Sequence, residues 1–156
     1  MHDAPFRQAE PTDAEAIAAL VNAAFRVERF FIEGDRTNPE QVRTLLESGV
    51  FLLAEEGGKL AGCVYVELRG AQGYFGLLAI DPERQKTGLG KRLVAAAEAY
   101  CRAAGCREME LQIVNVRAEL PGYYQRLGYQ ETGVAPFKAN HQPNIPCHFV
   151  KMSKPL

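Results

Sequence analysis

The sequence predicts an α/β fold, a mixed and mostly antiparallel central sheet flanked by helices, and three observations carry that prediction. Apolar residues recur at helical spacing in some segments and alternate or run as strands do in others. Glycine and proline turns divide these segments into hairpins first and a strand–helix–strand crossover later. With a strand ahead of the first helix, the order is βααβββαβαββ, which layers helices on both sides of the sheet.

Each element has a local reason. Thr12 reads as the cap of a helix over 13–25, where Ile17, Leu20, Val21, Ala24 and Phe25 share a face. Glu15, three residues on, completes a capping box. Asn38 and Pro39 open a short second helix with Val42, Leu45 and Leu46 on one face, and Gly49 ends it. Residues 51–54 and 60–68 read as strands joined across Glu56-Gly57-Gly58-Lys59, a hairpin signal, and 74–80 is the next strand. The longest helix is expected over 88–104, with Leu89, Leu93, Val94, Ala97, Tyr100 and Cys101 as its buried stripe and Gly105 as its stop. Then come a strand over 108–114, a short helix over 120–127, and strands over 129–134 and 148–152. A polar loop over 138–146 precedes the last strand.

At 156 residues the chain reads as one domain over 1–156. A hydrophobic share of 47% and a charged share of 24% are ordinary for a globular chain. The net charge of −1 gives no electrostatic case for a nucleic-acid partner. No apolar run approaches the ~18 residues that span a bilayer, and MHDAPFRQAEP has no signal-peptide core. The expectation is therefore a cytoplasmic protein with no membrane partner. Cys63, Cys101, Cys106 and Cys147 lack zinc-type spacing, and Cys63 and Cys101 read as small buried hydrophobes. His2, His141 and His148 do not cluster, so no metal site is expected.

The chemistry is concentrated in LLAIDPERQKTGLGKRL, residues 77–93. An apolar strand reaches Asp81-Pro82, and a loop with Gln85, Gly88 and Gly90 opens directly into a helix. Amides at a helix start have no intrahelical partner and sit at the positive end of the helix dipole, so the segment is built to hold an anion. It is not a nucleotide-binding Walker loop: the upstream glycine position holds Gln85, and Gly90-Lys91 is followed by Arg92. It is not a dinucleotide fingerprint either, because the third glycine position is Leu93.

Gln85-Lys86-Thr87-Gly88-Leu89-Gly90 resembles the coenzyme A pyrophosphate loop of the GNAT acyltransferase superfamily. Asn115 at a strand end, followed by Tyr124 and then Gly128-Tyr129, resembles that family's second motif. Lys86 departs from the pattern, since many members carry glycine there. The resemblance covers nearly the whole chain and implies a sheet splayed after its fourth strand, with acetyl-CoA as co-substrate. It implies backbone contacts to the coenzyme from Leu78, Ala79 and Ile80 and from the loop residues Gln85, Lys86, Thr87, Gly88, Leu89, Gly90 and Lys91. It also places Asn115 near the pantetheine arm and Tyr124 near the thioester sulfur. Tyr124 is then the general acid, because a phenol with reference pKa ~10 holds its proton at neutral pH. The backbone amide of Leu78, or of its neighbour Leu77, is the expected oxyanion donor. Tyr123 reads as a packing residue.

No acid lies within 74–80, so Glu28, Glu33, Asp35, Glu67 and Glu110 all stand as candidates for a general base, and a water relay without one is equally consistent. The acceptor, a small-molecule or peptide amine, is expected between residues 25–37 and the loop over 136–148, with Arg117 and Glu119 near the cleft. The leading reading is acetyl transfer to a primary amine in a ternary complex. The alternative is a non-catalytic acyl-CoA-binding module, and a longer acyl donor stays open. Superfamily members are often dimers, which admits a homodimer here.

Overall fold

Residues 6–156 are described by the computed structural model; His2 and the first residues of MHDAPFRQAEP lie outside them. The chain runs β1 (Arg7–Gln8), α1 (Ala14–Ala24), α2 (Pro39–Ser48), β2 (Val50–Glu56), β3 (Lys59–Arg69) and β4 (Gln72–Ile80). It continues with α3 (Leu89–Ala103), β5 (Glu108–Val114), α4 (Leu120–Arg126), β6 (Gln130–Pro136) and β7 (His148–Pro155). The sheet order is β1-β2-β3-β4-β5-β7-β6. Every neighbouring pair is antiparallel except β4 and β5, which are parallel through the α3 crossover.

Local chemistry explains the boundaries. Gly57 and Gly58 both take positive φ, as a tight two-residue hairpin requires. Asn38 Oδ1 accepts the Gln41 N–H at 2.8 Å, and Pro39 supplies the first helical φ of α2. Gly105, at φ 95°, stops α3. The start of α1 departs from the sequence reading. Pro11 fixes a helical φ one turn early, so Pro11–Asp13 form a 3-10 turn and Thr12 sits inside it. The capping contact is made by Asp13, whose Oδ2 accepts the Glu10 N–H at 2.7 Å while Arg7 grips the same carboxylate. At the other end of the chain β7 runs to Pro155, beyond the expected stop at 152, because its ladder with β5 continues to Glu108.

Two apolar layers cover the sheet. On one face α3 and α4 pack Leu89, Leu93, Val94, Ala97, Cys101 and Tyr124 onto Val64, Phe75, Leu111 and Ile113. On the other face α1 and α2 pack Ile17, Val21 and Val42 onto Phe51, Leu53, Tyr65 and Ala79. Cys63 and Cys101 are fully buried, as read from sequence. The acidic Glu98 on the buried side of α3 is answered by the Tyr129 hydroxyl at 2.7 Å and by Lys154 Nζ at 3.1 Å, which satisfies its charge inside the layer. No helix is long and apolar enough to cross a membrane among the described residues.

Close packing where β4 meets α3 depends on Gly73. A Cβ there would lie 2.4 Å from Cys101 Sγ and 2.9 Å from Cys101 Cβ. Gly73→Ala is expected to lower unfolding free energy by about 1–3 kcal/mol in denaturant titration. Adding Cys101→Ala should restore part of the loss; no recovery would show that the strain lies elsewhere.

Candidate active site

Strands β4 and β5 share only three residue pairs, Gln72–Tyr74 against Glu108–Glu110, and then part. Each follows its other neighbour. β5 keeps a full ladder with β7, whereas β4 stays with β3 through a register shift opposite Cys63–Tyr65. The shift is a bulge around Leu77, which holds φ 49°, a left-handed value uncommon outside glycine. A bulge bends its strand and raises its twist, which turns β4 away from β5. Leu77 packs with the α1 face while Leu78 packs with the α3 face. A Cβ on Gly76 would stand 2.7 Å from the Tyr74 hydroxyl, so this glycine clears room for that phenol. Gly76, an isolated glycine inside a strand pattern, is the one local mark of the bulge in the sequence and was not read as such.

The loop that follows β4 is held by its own side chains. Asp81 anchors it by accepting the Glu83 N–H at 3.0 Å and Arg84 Nη1 at 2.7 Å, and Thr87 Oγ1 donates to the Arg84 carbonyl at 2.9 Å. Lys86 at φ 69° and Gly88 at φ 82° both turn left-handed. The first bond of α3 runs from the Arg92 N–H to the Gly88 carbonyl, so the amides just before Arg92 precede the helical ladder. They stand at the positive end of a 15-residue helix, and Gly88 has open space where a side chain would be. These residues fit a diphosphate.

The structure brings several sequence-predicted residues into one layer. Leu78, Ile80 and Leu89 pack in the same apolar cluster as Tyr124, whereas Ala79 turns to the opposite face. Tyr124 is 7% exposed and is set edge-on by Tyr123, with ring centroids 5.0 Å apart, and by Phe75 and Tyr129. Burial, and then the neighbouring Tyr123, push its phenol above its ordinary value, while the Arg117 charge pulls the other way. Tyr123 packs as read from sequence, but its hydroxyl also faces Gly90, 3.2 Å from where a Cβ would sit. Asn115 extends the sheet edge: its N–H donates to the His148 carbonyl at 2.9 Å, and its Oδ1 accepts the His148 N–H at 2.7 Å.

On the α1 face a pocket joins the two segments expected to hold the acceptor. Phe25, Glu28, Ile32 and Arg36 form one wall, Phe137, Lys138 and His141 the other, and Gln112–Val114 of β5 the floor. Residues 25–30 wind as a 3-10 helix, which aims Glu28 inward. The far wall is strapped down. Asn140 Nδ2 donates to the Arg36 carbonyl at 3.2 Å, Gln41 Nε2 donates to Asn140 Oδ1 at 2.8 Å, and the Asn144 N–H bonds the Phe31 carbonyl.

Among the five candidate bases, Glu28 is the one buried in this pocket, at 8% exposure. Burial raises its carboxyl above the ordinary range, and the Arg117 Nη1 bond at 3.0 Å pulls it partly back. Glu67 is occupied by Tyr65 and Arg69, whose bonds outweigh its burial and hold it below the ordinary range. Asp35 lines the pocket at the exposed rim, Glu33 is exposed, and Glu110 lies on β5 where it pairs with β4. Arg117 also bonds Glu119 at 2.9 Å. Its charge therefore acts on both Glu28 and Tyr124, which lie on opposite faces of the sheet. Sequence reasoning singled out none of Tyr74, Gly76 or the Arg117–Glu28 pairing.

The left-handed turns make opposite predictions. Lys86→Gly is expected to raise unfolding free energy by about 1 kcal/mol, since glycine takes that backbone without a Cβ penalty, and Gly88→Ala to lower it by a similar amount. Denaturant titration of both variants checks the signs; a loss for Lys86→Gly would show that the lysine turn is not strained.

Comparison with known proteins agrees with this geometry. The family model described as acetyltransferase (GNAT) family matches residues 14–129, a span that holds the loop, Asn115 and Tyr124. The aminoglycoside N(6')-acetyltransferase type 1 of Stenotrophomonas maltophilia is 31% identical over 141 residues, which cover 81% of this chain and 86% of that protein. The solved ribosomal-protein-alanine N-acetyltransferase of Brucella melitensis superposes with a TM-score of 0.76 at 19% identity, over 97% of this chain and 99% of that one. A GNAT acetyltransferase of Elizabethkingia anophelis, solved with acetyl-CoA bound, superposes with a TM-score of 0.64 at 16% identity, over 75% of this chain and 82% of that one. A sheet parted between its two parallel strands, with a left-handed turn and a helix start at the end of one of them, and a family match spanning both motifs lead to one conclusion: this chain belongs to the GNAT acetyltransferase family.

Proposed function

We propose that this protein transfers an acetyl group from acetyl-CoA to a primary amine by direct attack within a ternary complex. The observation that carries this reading is the arrangement around the β4–β5 gap. An anion cradle and a buried phenol lie on the α3 side, and a buried carboxylate lies in a pocket on the α1 side. In this reading the amides of residues 87–91 hold the coenzyme's diphosphate, with Gln85 and Lys86 beside them. The edge of β4 released from β5, at Leu78, Ala79 and Ile80, faces the pantetheine arm. The oxygen of the Asn115 side chain is engaged by His148, so its Nδ2 is the donor left for that arm.

The chemistry follows from where each group sits. The amine nitrogen attacks the thioester carbonyl carbon, and the oxygen gathers negative charge that the Leu78 amide, re-aimed by the bulge, stabilises. As the carbon–nitrogen bond forms, the nitrogen's proton becomes acidic and passes to Glu28, whose raised affinity for protons suits it to this role. The carbon–sulfur bond breaks, and Tyr124 supplies the proton that turns the leaving thiolate into a thiol. The charge of Arg117 steadies the ionised Glu28 beforehand and favours the phenolate left afterwards. The alternative, a non-catalytic acyl-CoA-binding module, rests on the lack of an evident base, and the carboxylate of Glu28 buried in the pocket favours the transferase instead.

Tyr124→Phe is expected to lower kcat about 10²–10⁴-fold while leaving KM for acetyl-CoA nearly unchanged, measured by thiol release against a primary-amine panel. Wild type and Tyr124→Phe with equal kcat would contradict the acid role. The profile of kcat/KM against pH tests Glu28. Its carboxyl is raised from the ordinary 4.5, so the rate should fall as pH drops through a midpoint above that value, where Glu28 gains its proton. Glu28→Gln should lower the rate and remove that acid limb; an unchanged limb would assign it to another group.

A further inference from the structure

We infer that the acceptor is an amine that also carries an anionic group, a carboxylate borne on a small apolar or aromatic body such as an α-amino acid. This deepens the proposed transferase reading and rests on it. The charges in the pocket walls carry the inference. The buried acid, Glu28, is bonded at 3.0 Å by Arg117, which it shares with Glu119 at 2.9 Å. Asp35 adds one negative charge at the rim, while Arg36 and Lys138 face the same space from opposite walls and add two positive ones. Among the described residues neither Arg36 nor Lys138 has a carboxylate within ion-pair distance.

Arg36 is half-buried, and its guanidinium lies 5.3 Å from the Phe25 ring centroid, which holds the fork in place without using its hydrogen-bond donors. The Asn140 strap, bonded to the Arg36 carbonyl and to Gln41, ties the segment that carries the exposed Lys138 to the Arg36 wall. The same two residues line an adjoining groove that reaches Leu77 at the bulge. The Arg36 charge also acts on Glu28, so an oxyanion held by Arg36 stands near the carboxylate that the amine would approach, as the shared α-carbon of an amino acid requires. Phe25, Ile32 and Phe137 give the walls apolar surface to receive the body of the ligand. A guanidinium held in place on an aromatic ring is suited to a planar carboxylate. The lining charges balance, Glu28 and Asp35 against Arg36 and Lys138, which suits a zwitterion better than a ligand whose charges are all positive.

Calorimetric titration of the coenzyme A-loaded protein with L-phenylalanine, L-leucine and their primary amides, and with the polyamine kanamycin, separates the charge classes. The free acids are expected to bind at least about tenfold more tightly than their amides, as a charge-assisted bond warrants. Arg36→Gln and the exposed Lys138→Gln should each erase much of that preference, with affinity for the amides little changed. Acids and amides binding alike, kanamycin binding more tightly than the acids, or no acid binding would overturn the inference. Thiol release measured on the same panel with acetyl-CoA keeps the two readings apart. Acid-selective binding without release would retain this site and overturn the transferase reading, and release with kanamycin alone would do the reverse.

Discussion

Two parallel strands that begin a ladder and do not complete it set the form of this protein. β4 and β5 are joined at Gln72–Tyr74 and Glu108–Glu110, and beyond these pairs each keeps its other partner. A backbone edge that leaves its ladder needs new partners for its N–H and C=O groups. The edge past Tyr74 is therefore suited to an extended amide-bearing ligand, and a pantetheine arm has that character. The bulge at Leu77, with its left-handed backbone, is the local strain that keeps the opening. Gly76 makes it sterically possible by leaving room for the Tyr74 hydroxyl.

The opening also gives the site two sides with different chemistry. On the α3 side, glycine turns and the start of a long helix offer fixed amides to an anion, and an aromatic layer holds Tyr124 protonated. On the α1 side, a strapped pocket buries one carboxylate and presents Arg36 and Lys138, neither of which has a carboxylate within ion-pair distance among the described residues. Arg117 connects the sides electrostatically, bonded to Glu28 and acting on Tyr124. A buried charge pair of this kind adds little net stability, since its desolvation offsets its attraction, so a role in setting proton affinities accounts for it better.

Much of this was legible in the sequence because it is written in local rules. The helix stripes, the Gly57-Gly58 hairpin, the Asn38 cap and the glycine turn at 85–90 each depend on residues close in the chain, and each falls where expected. The Thr12 cap failed because Pro11 and the long-range contact from Arg7 to Asp13 competed for the same turn. The bulge escaped because 74–80 is a continuous apolar run with no alternation to break, and only Gly76 interrupts it. Glu28 could not be chosen among five acids, since its distinction is burial beside an arginine 89 positions away. The two segments that wall the pocket stand out in the sequence as the stretch between the first helices and a long loop, whereas the balance of charge between them needed their juxtaposition.

The central claim is that the gap between β4 and β5 receives the thiol arm of the coenzyme and delivers its sulfur to Tyr124. A crystal structure of the protein with coenzyme A tests it most directly. The account predicts the diphosphate on the amides of residues 87–91, the arm along Leu78–Ile80, and the sulfur within hydrogen-bond reach, about 3–4 Å, of the Tyr124 hydroxyl. A coenzyme bound away from that turn, or an arm that leaves the gap with its sulfur far from Tyr124, would contradict it.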